Sequence, residues 1–583
     1  MIRLTVVVTT ALLPALLLSA PTGCTSPMDR TAEEELRETL MQSHRQFTRA
    51  IARGEITTER EPSAVEQELR RREGLIEQLD ERSGIDALRD ESLELGPDLE
   101  GAIEAEKARL SLRQAIQSAV QNNIDYRAAR LIPAARRTEI VQAEAAFDAT
   151  FFTGIEYGRR DTPEAQAGVP GLGDLTQHRL GIETGIRKRF TTGGQVELAT
   201  GFERTETDPT VFEPDPQWAP EITLGLQQPL LRGFGTDVNT ANIQLADSAH
   251  RQSVEELRQS LIELVDRVEG AYWALVQARQ ELLIQTRLLE QTVREREVLD
   301  QRRILDVRPS TYTEVLSQEE VRRAEVIRAR QQVRRASDAL KRLINDPDLP
   351  LAGEELIVPE DLPVDLPLKF NLLDAVTTAL RERPEMRQAL MGIQDASLRQ
   401  RVADNLRLPM LDLNFNLRLH ELQGDLGSGY GDIFTERNLI DFMVGAQFEV
   451  PLGNREAEAL YSQRTIERHQ SVLDYQRQSQ DVVQEVKDAM RDLLTAYELI
   501  GATRASRRAA AENLRAIEAE QEVGVPLTPE FIDLKLRRQE ALANAQQREI
   551  EALVQYNAAI SSFFKSTGTL LERSQIDFTR REQ

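Results

Sequence analysis

Five histidines, His44, His178, His250, His420 and His469, are the only imidazoles among 583 residues. They are widely scattered, and none stands at ligand spacing from a second histidine or from Cys24, the one cysteine, so the pattern that holds zinc is missing. No GxxxxGK stretch offers a backbone cradle for phosphate. The Asp and Glu residues are scattered over helical segments, where carboxylates solvate an outer face rather than pair as acid and base. These patterns predict no enzyme chemistry, no cofactor and no metal.

Cys24 alone has a context suited to chemistry. Arg3 and an apolar run from Leu4 to Ala20 read as an export signal, and the small residues Thr22 and Gly23 before Cys24 resemble a bacterial lipoprotein processing site, with Pro21 where leucine is usual. Residues 1–24 are therefore expected to be a signal peptide ending at a lipidated Cys24; the alternative is cleavage nearby with the cysteine incidental. A lone cysteine makes no internal disulfide, so stability must come from packing. The formal net charge of -24 argues against nucleic acid as a partner. No window after the N-terminus is apolar over the roughly 18 residues that a spanning helix requires.

The elements that organise the chain occur twice. LSLRQAIQSAVQNN, from Leu110, aligns without a gap on FNLLDAVTTALRER, from Phe370, at a constant offset of 260: Leu112 meets Leu372, Ala115 meets Ala375, Ala119 meets Ala379, Arg127 meets Arg387 and Ala143 meets Ala403. The expected plan is a charged helical extension (25–107), a first repeat (108–350), a proline-rich linker (351–367), a second repeat (368–575) and a tail (576–583). Each repeat runs helix, strands (150–230 and 410–451), then a helical hairpin (237–346 and 455–570).

The strands alternate. Leu180, Ile182, Thr184 and Ile186, then Val196, Leu198, Thr200 and Phe202, take every second position on either side of the turn TTGG. In LDLNFNLRLH, Leu411, Leu413, Phe415, Leu417 and Leu419 form one apolar side, and a Gly-rich loop is expected near 424–431 before FMVGAQFEVPL. Fourteen of the 28 aromatics fall in windows 147–234 and 411–448, which suits the aromatic girdles of a membrane barrel; a soluble sandwich is the alternative. Val254, Leu257, Leu261, Leu264, Val268, Ala271 and Leu275, and Val482, Val486, Ala489, Leu493, Ala496 and Ile500, step by 3 and 4 as coiled-coil seams. Turns follow at DVRPST and VGVPLTP. Ten alternating residues suit a tilted membrane strand, and only a closed barrel satisfies strand edges in lipid, so several chains must share one barrel, with the five apolar residues of LDLNFNLRLH facing lipid.

With LRQAIQSAVQNN, LLDAVTTALRERP, QQPLLRGFG, FEVPLGN, VEGAYWALVQARQEL and YNAAISSFFKSTGTLL in this order, the chain resembles the TolC-like outer-membrane efflux protein family over roughly 108–575. The resemblance implies a mainly α fold with membrane β-strands. It implies a homotrimer, with an outer-membrane β-barrel continued by a periplasmic α-helical coiled-coil barrel. Its implied partners are outer-membrane lipid, a periplasmic adaptor (membrane fusion) protein and an inner-membrane transporter of an efflux or type I secretion system. The hairpin tips, Arg308 and Pro309, Gly524 and Pro526, would dock the adaptor. Acidic residues just past the tips would gate the periplasmic entrance, matched here by Asp533 and its first-copy counterpart Glu314; Leu536 stands where the family has a second acid.

The sequence departs from the family at Arg308, where glycine is usual, in a second tip about three residues longer, and in an extra strand pair near 179–203. Residues 29–105 match nothing in the family core, and a belt on the outside of the helical tube is the expectation. Two other functions remain open: a periplasmic coiled-coil adaptor or scaffold lipoprotein without a pore, and an exported enzyme on a helical stalk.

Overall fold

A computed structural model describes residues 55–57, 62–72, 74–85, 107–162, 175–208, 213–302, 308–433, 439–523, 528–576 and 578. A short strand β1 (Glu55–Thr57) precedes two short helices, α1 (Ala64–Leu69) and α2 (Leu75–Ser83). Strand β2 (Lys107–Leu110) then leads into α3 (Leu112–Asn122), α4 (Ile124–Ala129) and α5 (Leu131–Glu144). Ser111 starts α3 with a capping box to Gln114. The stretch that reads as one helix breaks at Asn123, whose backbone leaves helical geometry so that its side chain can cap Tyr126.

Four strands follow, β3 (Thr150–Thr162), β4 (Leu175–Arg189), β5 (Gln195–Asp208) and β6 (Gln217–Pro229). The TTGG turn joins β4 to β5 through Gly193, whose φ of 92° no branched side chain would tolerate. After α6 (Thr236–Asn239) come α7 (Ala241–Arg302) and its return helix α8 (Pro309–Ile344). The linker is not a free connector: within it, β7 (Leu356–Pro359) lies parallel to β2.

The second repeat starts with β8 (Lys369–Asn371), which pairs with β1. It continues with α9 (Leu372–Glu382), capped by Asn371, and α10 (Pro384–Leu406). Arg383-Pro384 breaks the helix here, where Asn123 does so in the first copy. Strand β9 (Met410–His420) is followed by a short helix, α11 (Leu426–Asp432), where glycine content suggested a loop; Asp425 caps it through Ser428. Strand β10 (Leu439–Glu449) leads to the longest helix, α12 (Arg455–Glu522), its return α13 (Pro529–Ser566) and α14 (Leu570–Arg573). At 62 and 68 residues, α7 and α12 extend about 93 and 102 Å at about 1.5 Å per residue.

The seams predicted from periodicity form the core. Leu257, Leu261, Leu264, Val268 and Leu275 are buried on α7, and Val482, Val486, Ala489, Leu493, Ala496 and Ile500 on α12. α7 buries further faces through Val265, Tyr272, Trp273 and Val276, because α3, α8, α10 and α13 all pack on it. The Tyr272 hydroxyl donates to Asp361 at 2.9 Å and pins the linker to the helix; burial pushes that phenol above its ordinary range. Among the described residues no helix is long and apolar enough to cross a membrane.

Candidate functional site

Six strands form one antiparallel sheet in the order β10-β9-β6-β5-β4-β3, so the strands of the two repeats meet at β6 and β9. Register places the alternating apolar positions in continuous rows. One row runs Phe442, Leu417, Leu224, Leu198, Ile186 and Phe151; another begins Val444, Phe415, Leu226 and Val196. Directly opposed side chains share a face, so this face is apolar from one edge to the other. Toward the long helices no described residue covers it: Phe442 is 75%, Phe151 69% and Leu198 51% exposed. Soluble monomers rarely leave such a face open, and where one is open it marks a membrane or protein contact.

The reverse face is polar. Arg187 pairs with Glu197 at 2.8 Å, Arg179 with Glu203 at 3.1 Å, and Arg418 with Glu221. Gly154, Gly158, Gly181, Gly185, Gly201, Gly225 and Gly445 all fall on this side by register. Toward the end remote from the long helices, α11 lies on the apolar face, where Tyr430 donates to the Gly201 carbonyl at 2.8 Å; Phe202 and Trp218 meet there at 5.3 Å.

At the far end of the hairpins, Leu299 of α7, Val315 of α8, and Ile532 and Leu536 of α13 form a small core. Lys535, buried beside Ile532 and Leu536, pairs with Glu295 of α7 and Gln521 of α12. Slightly further along, the buried Arg322 guanidinium bonds to Thr292, the Leu536 carbonyl and Gln539, joining α7, α8 and α13. Burial holds its pKa below the usual guanidinium range.

Residues 375–569 match the family model described as outer membrane efflux protein. Solved structures with this architecture include three outer-membrane proteins. The Campylobacter jejuni CmeC outer membrane channel is 15% identical, with 81% of this chain and 90% of that one covered at a TM-score of 0.57. The open state of the Neisseria gonorrhoeae MtrE outer membrane channel is 17% identical, with 79% and 89% covered at 0.52. The outer membrane protein VceC of Vibrio cholerae is 15% identical, with 78% and 96% covered at 0.54. The fold is that of the TolC-like outer-membrane efflux proteins. No curated protein matches the chain in sequence.

On this TolC-like frame, Arg308 stands as the N-cap of α8 and Pro309 as its first residue, while Thr528 and Pro529 play those parts for α13. Gly524 and Pro526, like Cys24, lie outside the described residues. The two tips feel each other: its own backbone N–H and the Thr528 hydroxyl hold the Glu530 carboxyl below its usual value, and Arg308 adds to the effect. Asp533 is half-buried and pairs with Arg537, one turn along α13, at 2.6 Å. Glu314 is exposed on α8. Counted from the helix-starting prolines, Thr313 holds the place of Asp533, and Glu314 lies one step, about 100°, further round the helix. The five residues of β9 expected to face lipid, Leu411, Leu413, Phe415, Leu417 and Leu419, lie on the apolar face of the sheet by register.

Among the described residues the histidines stay apart. His178 meets Tyr157, His250 the Pro133 carbonyl, and His420 Asp441. No group of His, Cys, Asp and Glu there could hold a metal ion.

Sequence reasoning missed a clasp. Within the 29–105 extension, α1 and α2 lie on the second hairpin, where Leu69, Leu75 and Leu79 pack on Ala511. Arg508 donates to Asp80 at 2.6 Å and to Glu66 at 2.9 Å, and Arg507 to Asp80 at 2.6 Å, to Ser83 at 2.7 Å and to the buried Glu549. Adjacent arginines on a helix read as solvated charge, and nothing local distinguishes these two.

Proposed function

We propose that three copies of this chain form a passive conduit through the outer membrane and across the periplasm, the exit duct of an efflux or type I secretion system. The observation that carries this reading is the six-stranded sheet, apolar on one face and ion-paired on the other, continuous with two helical hairpins whose long arms extend about 93 and 102 Å. A face of that kind belongs in lipid, and its reverse lines water. The efflux-family match over the second repeat supports the same conclusion. The outer membrane holds the sheet, Cys24 adds an acyl anchor, and the hairpin tips dock a periplasmic adaptor coupled to an inner-membrane transporter that supplies the energy. Asp533, repeated around a threefold axis, lines the periplasmic entrance and favours cations there.

Purified protein added to planar lipid bilayers tests the conduit. Discrete, cation-preferring conductance steps are expected. A protein that binds the membrane without conducting would be a scaffold.

A further inference from the structure

Among the described residues the sheet ends in two edges that no further strand covers, β3 and β10. They are 13 and 11 residues long and contain neither proline nor lysine, the residues that usually blunt an edge. Both are exposed along their length, with Ile155 73%, Tyr157 71%, Phe442 75% and Val444 64% accessible. Because the sheet is antiparallel throughout and six strands wide, β3 and β10 run in opposite directions. A copy's β3 can therefore lie antiparallel to a neighbour's β10. Their apolar sides coincide in that pairing: Phe151, Ile155 and Tyr157 join Phe442, Val444 and Phe448. Charge agrees as well. On the polar face, Arg160 stands ten residues from the helical end of β3 and Asp441 eight from that of β10, where Asp441 lies opposite Arg418, itself paired with Glu221, and 3.6 Å from His420.

We propose that β3 pairs with β10 of the next copy and that the trimer, on the conduit reading above, closes a barrel of eighteen strands, six from each chain. Strands about 4.8 Å apart and tilted about 40° then give a backbone diameter of about 36 Å, against about 24 Å were only four strands per chain to contribute. Allowing about 5 Å for side chains on each wall leaves a lumen of about 26 Å rather than about 14 Å. The glycines on the polar face thin this wall further. The outer-membrane end is then the wide part of the duct, and size selection falls to the hairpin end. The β4–β5 hairpin is what widens it, since without that hairpin β3 would have to meet β6 directly.

Paired cysteines in a Cys24→Ser background test the closure. Ile155→Cys is combined in turn with Phe442→Cys, Val444→Cys and Ala446→Cys, residues on the same face, and oxidised in isolated outer membranes. One combination should give covalent dimers and trimers on denaturing gels while each single variant stays monomeric. Crosslinking within one chain between Ile155→Cys and Leu224→Cys would mean that β3 adjoins β6, and would overturn the proposal, as would no crosslink to any β10 position in chains that still trimerise. The unmodified protein gives an independent reading. Polyethylene glycol about 20 Å across, added on the extracellular side of a planar bilayer, should enter the barrel and lower conductance. Conduction that such polymer leaves unchanged refutes the width alone, whereas absence of any conduction refutes the conduit itself.

Discussion

Arginine at Phe415 should be the most damaging single change in the sheet. β9 has eleven residues, which at about 3.3 Å each and a tilt of about 40° rise about 28 Å, close to the height of the apolar band of an outer-membrane barrel. Phe415, the sixth of them, stands at mid-height between Val444 of β10 and Leu226 of β6. A lipid-facing arginine costs about 2–4 kcal/mol at the bilayer midplane, falling to about 0–1 near the interfaces. That range is a loss of about 30- to 900-fold in the folding equilibrium of each chain. Leu413 and Leu417 should cost less, and Leu411 and Leu419 least, so the penalty should peak at the middle of the strand. Asn416→Arg, on the polar face opposite Gly225 and Met443, should change stability by no more than about 0.5 kcal/mol. Urea titration of protein refolded into lipid vesicles, followed by tryptophan fluorescence and by trimer bands on gels, reads all six variants. Equal costs on both faces, or costs that follow burial in the isolated chain rather than height, would refute the lipid-facing assignment.

The remaining expectations are shorter. Asp533→Ala should reduce cation preference and block by multivalent cations in planar-bilayer recordings, because in the proposed trimer it would remove three carboxylates from one axis; unchanged selectivity would leave Asp533 as the partner of Arg537 and nothing more. Charge reversal at Arg308 should weaken capture of the adaptor in pull-downs with conductance intact. Cys24→Ser should abolish acyl labelling but not trimer formation, and unlabelled wild-type protein would rule out the anchor. Arg507→Met should loosen α2 from the second hairpin by about 3 kcal/mol, since it breaks a buried pair with Glu549, read as faster hydrogen exchange over Leu75–Ser83. The same clasp should weaken in acid. Burial alone would raise the Asp80 carboxyl, but hydrogen bonds from Arg508 and Arg507 outweigh it and depress the pKa. Its contribution is therefore present above the unfolded value of about 3.9 and is lost as pH falls through the lower folded value.

What was legible in the sequence is what repeats at short range. Alternation in Leu180–Ile186, Val196–Phe202 and Leu411–Leu419, and the 3-and-4 steps of the two seams, need only a window of ten or twenty residues, and each became a strand or a buried helical stripe. The edge strand β3 was harder, because Phe151 and Phe152 stand side by side and break the alternation. Phe152 falls on the polar face by register, where it lies opposite Gly185 and under the Arg187 guanidinium at 5.1 Å. An aromatic covering a cross-strand glycine is a pair property that a single strand does not display. The adjacency of β6 and β9 was equally hidden, since it joins residues about 190 positions apart through register alone.

The hairpin end shows where such reading stops for a physical reason. Ile532, Lys535 and Leu536 point into the junction of the two hairpins, and this leaves Asp533 and Leu534 on the outward side of α13. Within one chain Asp533 has a cation, Arg537, one turn away, and that is the arrangement of an ordinary solvated helix face. Its field as an entrance group would come from the other two copies, whose carboxylates repel one another in a narrow mouth and draw in cations. In such a trimer the carboxylate would face two competing partners, a guanidinium on its own helix and a passing cation on the axis. Multivalent cations compete best with Arg537, so block by them reports the ring more sensitively than conductance does.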